Sequence, residues 1–207
     1  MTRLSRRFFA RPTLQVARDL LGQRLVRLYE GERLGGIICE CEAYIGEADT
    51  ACHASHGRTA RTQVMYGEPG RAYVYFTYGI HWMLNCVTER VDFPAAVLIR
   101  AVVPDEGIET MRELRGRKPE ADRLRGLADG PAKLCQALAV DGALNAEDLV
   151  TSERLFIERQ KVVPEARVRQ TPRIGIENAD RVARDHLWRF VLLPDTAQRG
   201  THNAQRV

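Results

Sequence analysis

The sequence predicts an α+β fold built on a mainly antiparallel β-sheet. Two pairs of β-rich segments support this prediction, because each pair is joined by a short turn typical of a β-hairpin. The first pair is QRLVRLY and GGIICECEAYI, joined by EGER, and the second is RAYVYF and HWMLNCV, joined at Tyr78-Gly79. Helical segments lie outside these pairs, so we expect the helices to flank the sheet.

Proline, glycine and periodicity predict the remaining elements in chain order. Pro12 precedes LQVARDLL and Gly22 follows it, which predicts a short helix. Residues 45–70 lack periodicity, and loops of that length are often functional. AAVLIRAV predicts a buried strand, residues 107–117 a helix, and GPAKLCQALAV a second helix with Pro131 in its first turn. Further strands are expected at LFIER, RIGI and LWRFVLL.

The composition is that of an ordinary globular chain, with 44% hydrophobic and 28% charged residues among 207. We expect one domain over residues 1–207. A basic arm at 1–11 either contacts phosphate or is disordered, and a polar tail at about 195–207 is expected to be poorly ordered. The net charge is +4, and only three of the 31 basic residues are lysines. Arginine suits bidentate phosphate contacts, although a compositional bias of the genome would give the same excess.

The number and spacing of the cysteines indicate the cellular compartment and whether a metal site is expected. The five cysteines, without a secretory signal or a long apolar run, predict a reduced protein of a bacterial-type cytosol, near the nucleoid. Cys39, Cys41, Cys52 and His53 lie close in sequence, but no second cysteine pair follows at structural-zinc spacing. We therefore interpret the cysteines as small core residues and expect no metal.

Two acids on one apolar strand give the strongest functional signal. In a regular strand, Ile38, Glu40, Glu42 and Tyr44 would share one face. An ionised carboxylate is costly to bury alone, so these acids are expected to be paired, solvated or catalytic. Arg100 is the one charged residue inside AAVLIRAV, and it needs an acid or an anionic ligand nearby for the same reason.

Aromatic and polar groups around these acids suggest chemistry on a flat base. Tyrosines occur on the acidic strand and on the second hairpin, His53 follows in the long loop, and Lys133 lies in a first helical turn where amides can hold an anion. Such a pocket can stack an aromatic base and use an acid to activate water. The sequence lacks both the cysteine signature of zinc deaminases and the glycine-rich loops that bind nucleotides, so we expect no cofactor.

Seven segments spread over residues 5–195 form a specific combination of motifs. In chain order they are ECEAY, ACH ending at His53, PGRAYVYFTYG, MLN, VLIRA, EGIETMREL and GPAKLCQAL. Together they resemble the alkyladenine (3-methyladenine) DNA glycosylase family, which excises alkylated or deaminated purines. The resemblance implies a curved sheet and a protruding β-hairpin that inserts into DNA. It also implies double-stranded DNA with damaged purines as the partner.

The resemblance implies catalytic roles for matching residues. Glu42 falls on the general base that activates water, and Arg100 on the arginine that helps to hold this water. The backbone around Ile174 and Gly175 falls on the segment whose carbonyl completes the water site. The only lysines are Lys118, Lys133 and Lys161, none suitably placed for a Schiff base, so we predict a monofunctional hydrolase without lyase activity that leaves an abasic site.

The resemblance also implies how the base is held. The flipped base is expected between Tyr44, His53 and Tyr75, with Asn85 excluding the exocyclic amino group of guanine. Tyr78 falls on the residue that fills the gap left in the duplex.

Four polar or basic residues outside the base pocket are expected to contact DNA, and they are Arg58, Thr59, Arg61 and Lys133. We also expect a monomer, without a membrane partner. Two rival functions are a non-catalytic nucleic-acid-binding module on the same scaffold and a hydrolase of free nucleosides.

Overall fold

The computed structural model describes residues 2–116 and 124–194, and the predicted tail at 195–207 lies outside them. Within these ranges the chain has the predicted α+β fold. The strands are β1 (Arg24–Tyr29), β2 (Glu32–Ile45), β3 (Ala72–Thr77), β4 (His81–Val87), β5 (Ala95–Glu106), β6 (Leu155–Glu158), β7 (Val168–Thr171) and β8 (Arg189–Leu192). The α-helices are α1 (Arg6–Phe9), α2 (Thr13–Leu20), α3 (Ile108–Leu114), α4 (Pro131–Ala137) and α5 (Arg181–Asp185).

The sheet is antiparallel throughout the described strands. Its main order is β3-β4-β5-β2-β1-β6, while β8 pairs with β2 and β7 pairs with β8. Both predicted hairpins are confirmed. Glu30 and Gly31 have φ of 50° and 85° between β1 and β2, and Tyr78 and Gly79 have φ of 52° and 69° between β3 and β4. Positive φ at both central positions matches the right-handed twist of the flanking strands.

A β-bulge in β2 separates the acids from the main core. Ile38 pairs with Val102 of β5 while Glu40 pairs with Ala101, so the intervening residue of β2 is unpaired. The bulge shifts the alternation of side chains by one residue. Ile38 consequently packs in the main core with Cys41, and the prediction that it shares a face with Glu40 is wrong.

Two clusters of buried apolar residues pack against the sheet. The main core contains the inner face of α2, which ends before Gly22 as predicted, while Pro12 is the N-cap residue of the helix and not part of its first turn. A smaller cluster beneath the long loop is built by Cys52, Ala54, Met65, Tyr66, Tyr73, Val87 and Ala96. Tyr44 and Tyr75 pack against this second cluster, so their rings stand on a rigid base.

Two segments differ from the sequence-based expectations. Residues 2–11 do not form a loose basic arm, because Phe8 and Phe9 of α1 are buried and Arg6 pairs with Asp148 at 2.5 Å. RIGI, residues 173–176, is a bend rather than a strand. The neighbouring strand β7 ends just before Pro172, which has no amide hydrogen for a ladder bond.

Candidate active site

A cavity of about 290 Å³ lies between the long loop, the β3–β4 hairpin and the bend at 173–176. Its aromatic and polar lining comes from strands β2 to β5 and the long loop: Tyr44, His53, Tyr73, Tyr75, Asn85 and Arg100. The backbone of Ile174 and Gly175 closes one side. Several separate segments of the chain therefore build one concave site, the usual form of a small-molecule or base pocket.

Glu42 lies directly behind this lining, with 0% of its side chain exposed. Its Oε2 accepts hydrogen bonds from the Tyr44 hydroxyl at 2.9 Å and from Arg100 Nη1 at 3.1 Å. Its Oε1 accepts the amide hydrogen of Ile174 at 2.8 Å. Burial raises the pKa of Glu42, although Arg100, the Ile174 amide and the Tyr44 hydroxyl act in the opposite direction. Such a carboxylate is both oriented and more basic than a solvated one.

The bend makes a contact with Glu42 that the sequence did not predict, while the role of a carbonyl near Ile174 in holding the water stays a prediction. The contact is made by the Ile174 amide. An amide that donates to Glu42 stabilises its ionised form.

Glu40, which the sequence leaves without a function, belongs to an ionic network beside the cavity. Its Oε1 accepts from Arg100 Nε at 2.6 Å and from Arg189 Nε at 2.7 Å. Arg189 also donates to the Thr171 hydroxyl at 3.0 Å. Arg100 thus bridges Glu40 and Glu42, which supplies the acidic partner that an arginine in an apolar strand requires.

Aromatic rings and His53 form another part of the cavity lining. His53 Nδ1 and the Tyr73 hydroxyl share a hydrogen bond of 2.9 Å, and the His53 and Tyr75 rings meet edge to face at 4.5 Å. The Arg61 guanidinium lies 5.1 Å from the Tyr75 ring centroid. Burial lowers the pKa of His53 to about 4, and the nearby Arg61 cation adds to this effect. His53 is therefore neutral at neutral pH.

We expect His53 to titrate with a midpoint of about 4 instead of its ordinary 6.5. Because the folded state disfavours the imidazolium, the stabilising contribution of neutral His53 is complete above pH 6.5 and is lost as the pH falls through about 4. NMR titration of the imidazole nuclei measures the midpoint, and the pH dependence of unfolding should flatten in His53→Gln. A midpoint near 6.5 would contradict the burial of this ring.

The other residues predicted around the base line the same cavity. Asn85 is buried, and its Nδ2 donates to the Tyr73 carbonyl at 3.0 Å. Tyr78 lines the cavity from the hairpin tip, although 80% of its surface is exposed. The structure therefore brings together residues that are far apart in the sequence, while their individual roles stay predictions.

The sequence model of the methylpurine-DNA glycosylase family matches residues 7–196. The chain belongs to the methylpurine-DNA glycosylase family. A relative from Methanocella arvoryzae is 50% identical over 90% of this chain and 90% of its own length. Another, from Carboxydothermus hydrogenoformans, is 48% identical over 91% and 94% of the two chains. Both carry the name "Putative 3-methyladenine DNA glycosylase". Membership makes the chain an enzyme of the DNA glycosylase class, with DNA as its substrate.

The cations that the sequence assigns to DNA already have protein partners in the glycosylase. Arg58 forms an ion pair with Asp92 and lies 4.4 Å over the Tyr66 ring. Lys133 Nζ binds Asp129 at 2.8 Å, in the first turn of a helix whose Pro131 lines the cavity. The Thr59 amide donates to the Thr62 hydroxyl at 2.8 Å, which shapes the loop. DNA contacts at these positions stay predictions.

Three residues of the site escaped the sequence analysis of the glycosylase. Tyr73 could have been found, because it lies two residues before Tyr75 on β3 and therefore on the same face. Arg173 and Asp49 pair across 124 positions of the chain, and neither occupies a regular element that would align them. Their pairing is a product of the tertiary fold alone.

The structure over residues 2–116 and 124–194 of the glycosylase contains neither a metal-binding cluster nor a membrane-spanning helix. In these ranges no group of three or more histidine, cysteine or acidic side chains is arranged to hold a metal ion. Over the same ranges, none of the helices combines the length and the apolar character needed to cross a membrane. All five cysteines are free thiols, and Cys39 is half-buried while the other four are buried.

Proposed function

We propose that this glycosylase removes alkylated and deaminated purines from double-stranded DNA, with Glu42 activating the attacking water. The observation that supports this proposal is the placement of Glu42, a buried carboxylate of raised pKa directly behind an aromatic cavity. A buried, oriented carboxylate beside a pocket is typical of a general base.

Base flipping accounts for the aromatic lining. Extruding a nucleotide from the duplex costs a few kcal/mol, and less for a damaged or mispaired base. Stacking on aromatic side chains returns about 1 to 3 kcal/mol per base, and Tyr44, His53 and Tyr75 provide the rings. Alkylated purines are cationic, so the tyrosine faces add a cation–π attraction of about 0.5 to 2 kcal/mol.

The hydrolysis itself needs one base and a stabilised sugar cation. As the N-glycosidic bond breaks, the purine leaves with the bonding electron pair and the sugar gains oxocarbenium character. Water attacks the anomeric carbon and its proton passes to Glu42, whose negative charge also stabilises the developing cation. Arg100 and the Ile174 amide hold the carboxylate in place during this step. The product is an abasic site.

The decisive experiment is incubation with duplexes that carry 3-methyladenine, 7-methylguanine, hypoxanthine or etheno-adenine, followed by alkali. We expect strand cleavage at the lesion after alkali only, because we propose no lyase step. Cleavage without alkali would contradict the monofunctional assignment, and intact strands with all four lesions would contradict the function. Free nucleosides assayed in parallel should release no base, which separates this enzyme from a nucleoside hydrolase.

Replacing Tyr78 by alanine is expected to impair excision from duplex DNA without destabilising the protein. The side chain is 80% exposed at the hairpin tip, so it contributes little to the fold. As a wedge in the minor groove it would offset about 1 to 3 kcal/mol of lost stacking, which corresponds to a rate loss of about 5- to 150-fold. Single-turnover rates on duplex and single-stranded lesions measure the effect, with Tyr78→Phe as the control that keeps the ring. Equal losses on both substrates would argue against a wedge.

A further inference from the structure

Asp49 and Arg173 form an ion pair beside the site that the proposed chemistry does not use. Their side chains are 1% and 0% exposed. Arg173 Nη1 lies 2.6 Å from Asp49 Oδ2, and Nη2 lies 2.8 Å from Oδ1, so the contact is bidentate. Desolvating two charges is costly, and apolar residues of similar volume often give equal or greater stability. Stability alone is therefore a weak explanation for this pair.

The contacts of the pair converge on the segments around Glu42. Arg173 Nη1 also donates to the Ala43 carbonyl at 2.9 Å, and Nη2 donates to the Ala183 carbonyl at 3.1 Å. Its guanidinium lies between two rings, 4.8 Å from the centroid of Tyr44 and 4.9 Å from that of Trp188. One side chain thus ties β2, the bend at 173–176 and α5 together.

Asp49 extends this connection into the long loop. Its Oδ2 accepts from the Ile45 amide at 3.2 Å, and its Oδ1 accepts from the Ala51 amide at 3.1 Å. Ala51 lines the cavity two residues before His53. The Asp49 carboxylate therefore fixes the part of the long loop that leads to His53. Both partners of the pair therefore hydrogen-bond to backbone groups of the segments around the site, while Arg173 Nε is buried without a partner among the described residues.

The hydrogen-bond donors of Glu42 are direct neighbours of these anchor points. Tyr44, whose ring rests on the guanidinium, donates to Glu42 Oε2, and Ile174, the residue after Arg173, donates to Oε1. We propose that Asp49 and Arg173 are positioning residues, which hold Tyr44 and Ile174 so that both oxygens of Glu42 keep a fixed orientation. This inference rests on the proposed role of Glu42 in base release.

Loosening the bend should change the titration of Glu42 as well as its orientation. The Ile174 amide lowers the pKa of Glu42, so its loss would raise that pKa further, and the acid limb of the rate profile would move to higher pH. The other charged and titratable groups around Glu42 are Cys41, Tyr44, Tyr75, Arg100, Arg173 and Arg189, and of these Tyr44 and Arg173 belong to the network of Asp49.

The test compares Asp49→Asn with the matched control Asp148→Asn. Asp148 also accepts an arginine, Arg6 at 2.5 Å, and a backbone amide, that of Val150 at 3.1 Å, but it lies outside the site. Amide hydrogen exchange of Ile174 reports the position of the bend independently of activity. Single-turnover base release from a hypoxanthine duplex, followed over pH, reports the orientation and titration of Glu42.

In Asp49→Asn we expect faster exchange at Ile174, an acid limb at higher pH and a rate loss of about 10- to 100-fold, the usual scale for residues that orient a reacting group. Asp148→Asn should change none of these. Unchanged exchange at Ile174 in Asp49→Asn would overturn the proposal, whatever the rate. If Asp49→Asn does not fold, Arg173→Lys takes its place, because the three donors of an ammonium cannot replace the four hydrogen bonds that the guanidinium makes to Asp49 and the two carbonyls.

The exchange measurement separates this inference from the proposed function. Faster exchange at Ile174 in a protein that releases no base from any lesion would support the positioning pair but refute the role of Glu42. Normal base release with a bend that is insensitive to Asp49→Asn would support the function and refute the pair.

Discussion

Replacing Glu42 with glutamine is expected to abolish base release while lesion binding stays within a few-fold. General base catalysis contributes a factor of about 10² to 10⁴, and an amide cannot take the proton of the attacking water. Stacking by Tyr44, His53 and Tyr75 does not involve the carboxylate charge, so the affinity for flipped bases should persist. Single-turnover excision and equilibrium binding to a hypoxanthine duplex measure the two effects separately.

Glu40→Gln is the matched control for this experiment. Glu40 lies two residues earlier on β2 and binds the same arginine, Arg100, but its remaining contact is with Arg189. We expect its loss to slow base release by about tenfold, at the lower end of the usual 10- to 100-fold range for orienting residues, because Arg100 keeps its contact with Glu42. Comparable rates in Glu42→Gln and the parent would refute the assignment of the base. An equally complete loss in both variants would assign the effect to the ionic network.

Local signals predict much of the sheet and of the pocket. Hairpin turns place β1 next to β2 and β3 next to β4, and two-residue spacing puts Glu40, Glu42 and Tyr44 on one face. These features depend on neighbours in the sequence, which a pattern can display. The family motifs then assign residues from distant parts of the chain to one predicted site.

The features that the sequence could not predict depend on long-range packing. The β-bulge that directs Ile38 into the main core arises from the register of β2 against β5. The residues of β2 alone do not predict this register. The two isoleucines of RIGI favour a strand at 173–176, but the segment is a bend in which Arg173 is buried and paired with the distant Asp49. At the N-terminus the arginines suggest a solvated arm. Burial of the phenylalanines between them instead packs this segment against the core.

Replacing Arg100 with methionine is expected to destabilise the protein and to shift its activity to higher pH. Arg100 binds Glu42 and Glu40, and its side chain is only 12% exposed. Removing one partner of a buried ion pair typically costs about 3 to 5 kcal/mol, because the other charge is left without compensation. Glu40 keeps Arg189, so the loss falls mainly on Glu42. The pKa of Glu42 should rise further, and base release at neutral pH should fall and partly recover in alkaline buffer.

A double-variant cycle distinguishes this charge effect from lost packing. If the uncompensated carboxylate causes the destabilisation, Glu42→Gln combined with Arg100→Met should unfold at higher denaturant than Arg100→Met alone, since no ionised group is then left unpaired at Glu42. Arg100→Lys should retain more stability than Arg100→Met, because a cation stays near Glu42. If the double variant is no more stable than Arg100→Met, the arginine stabilises through its packing.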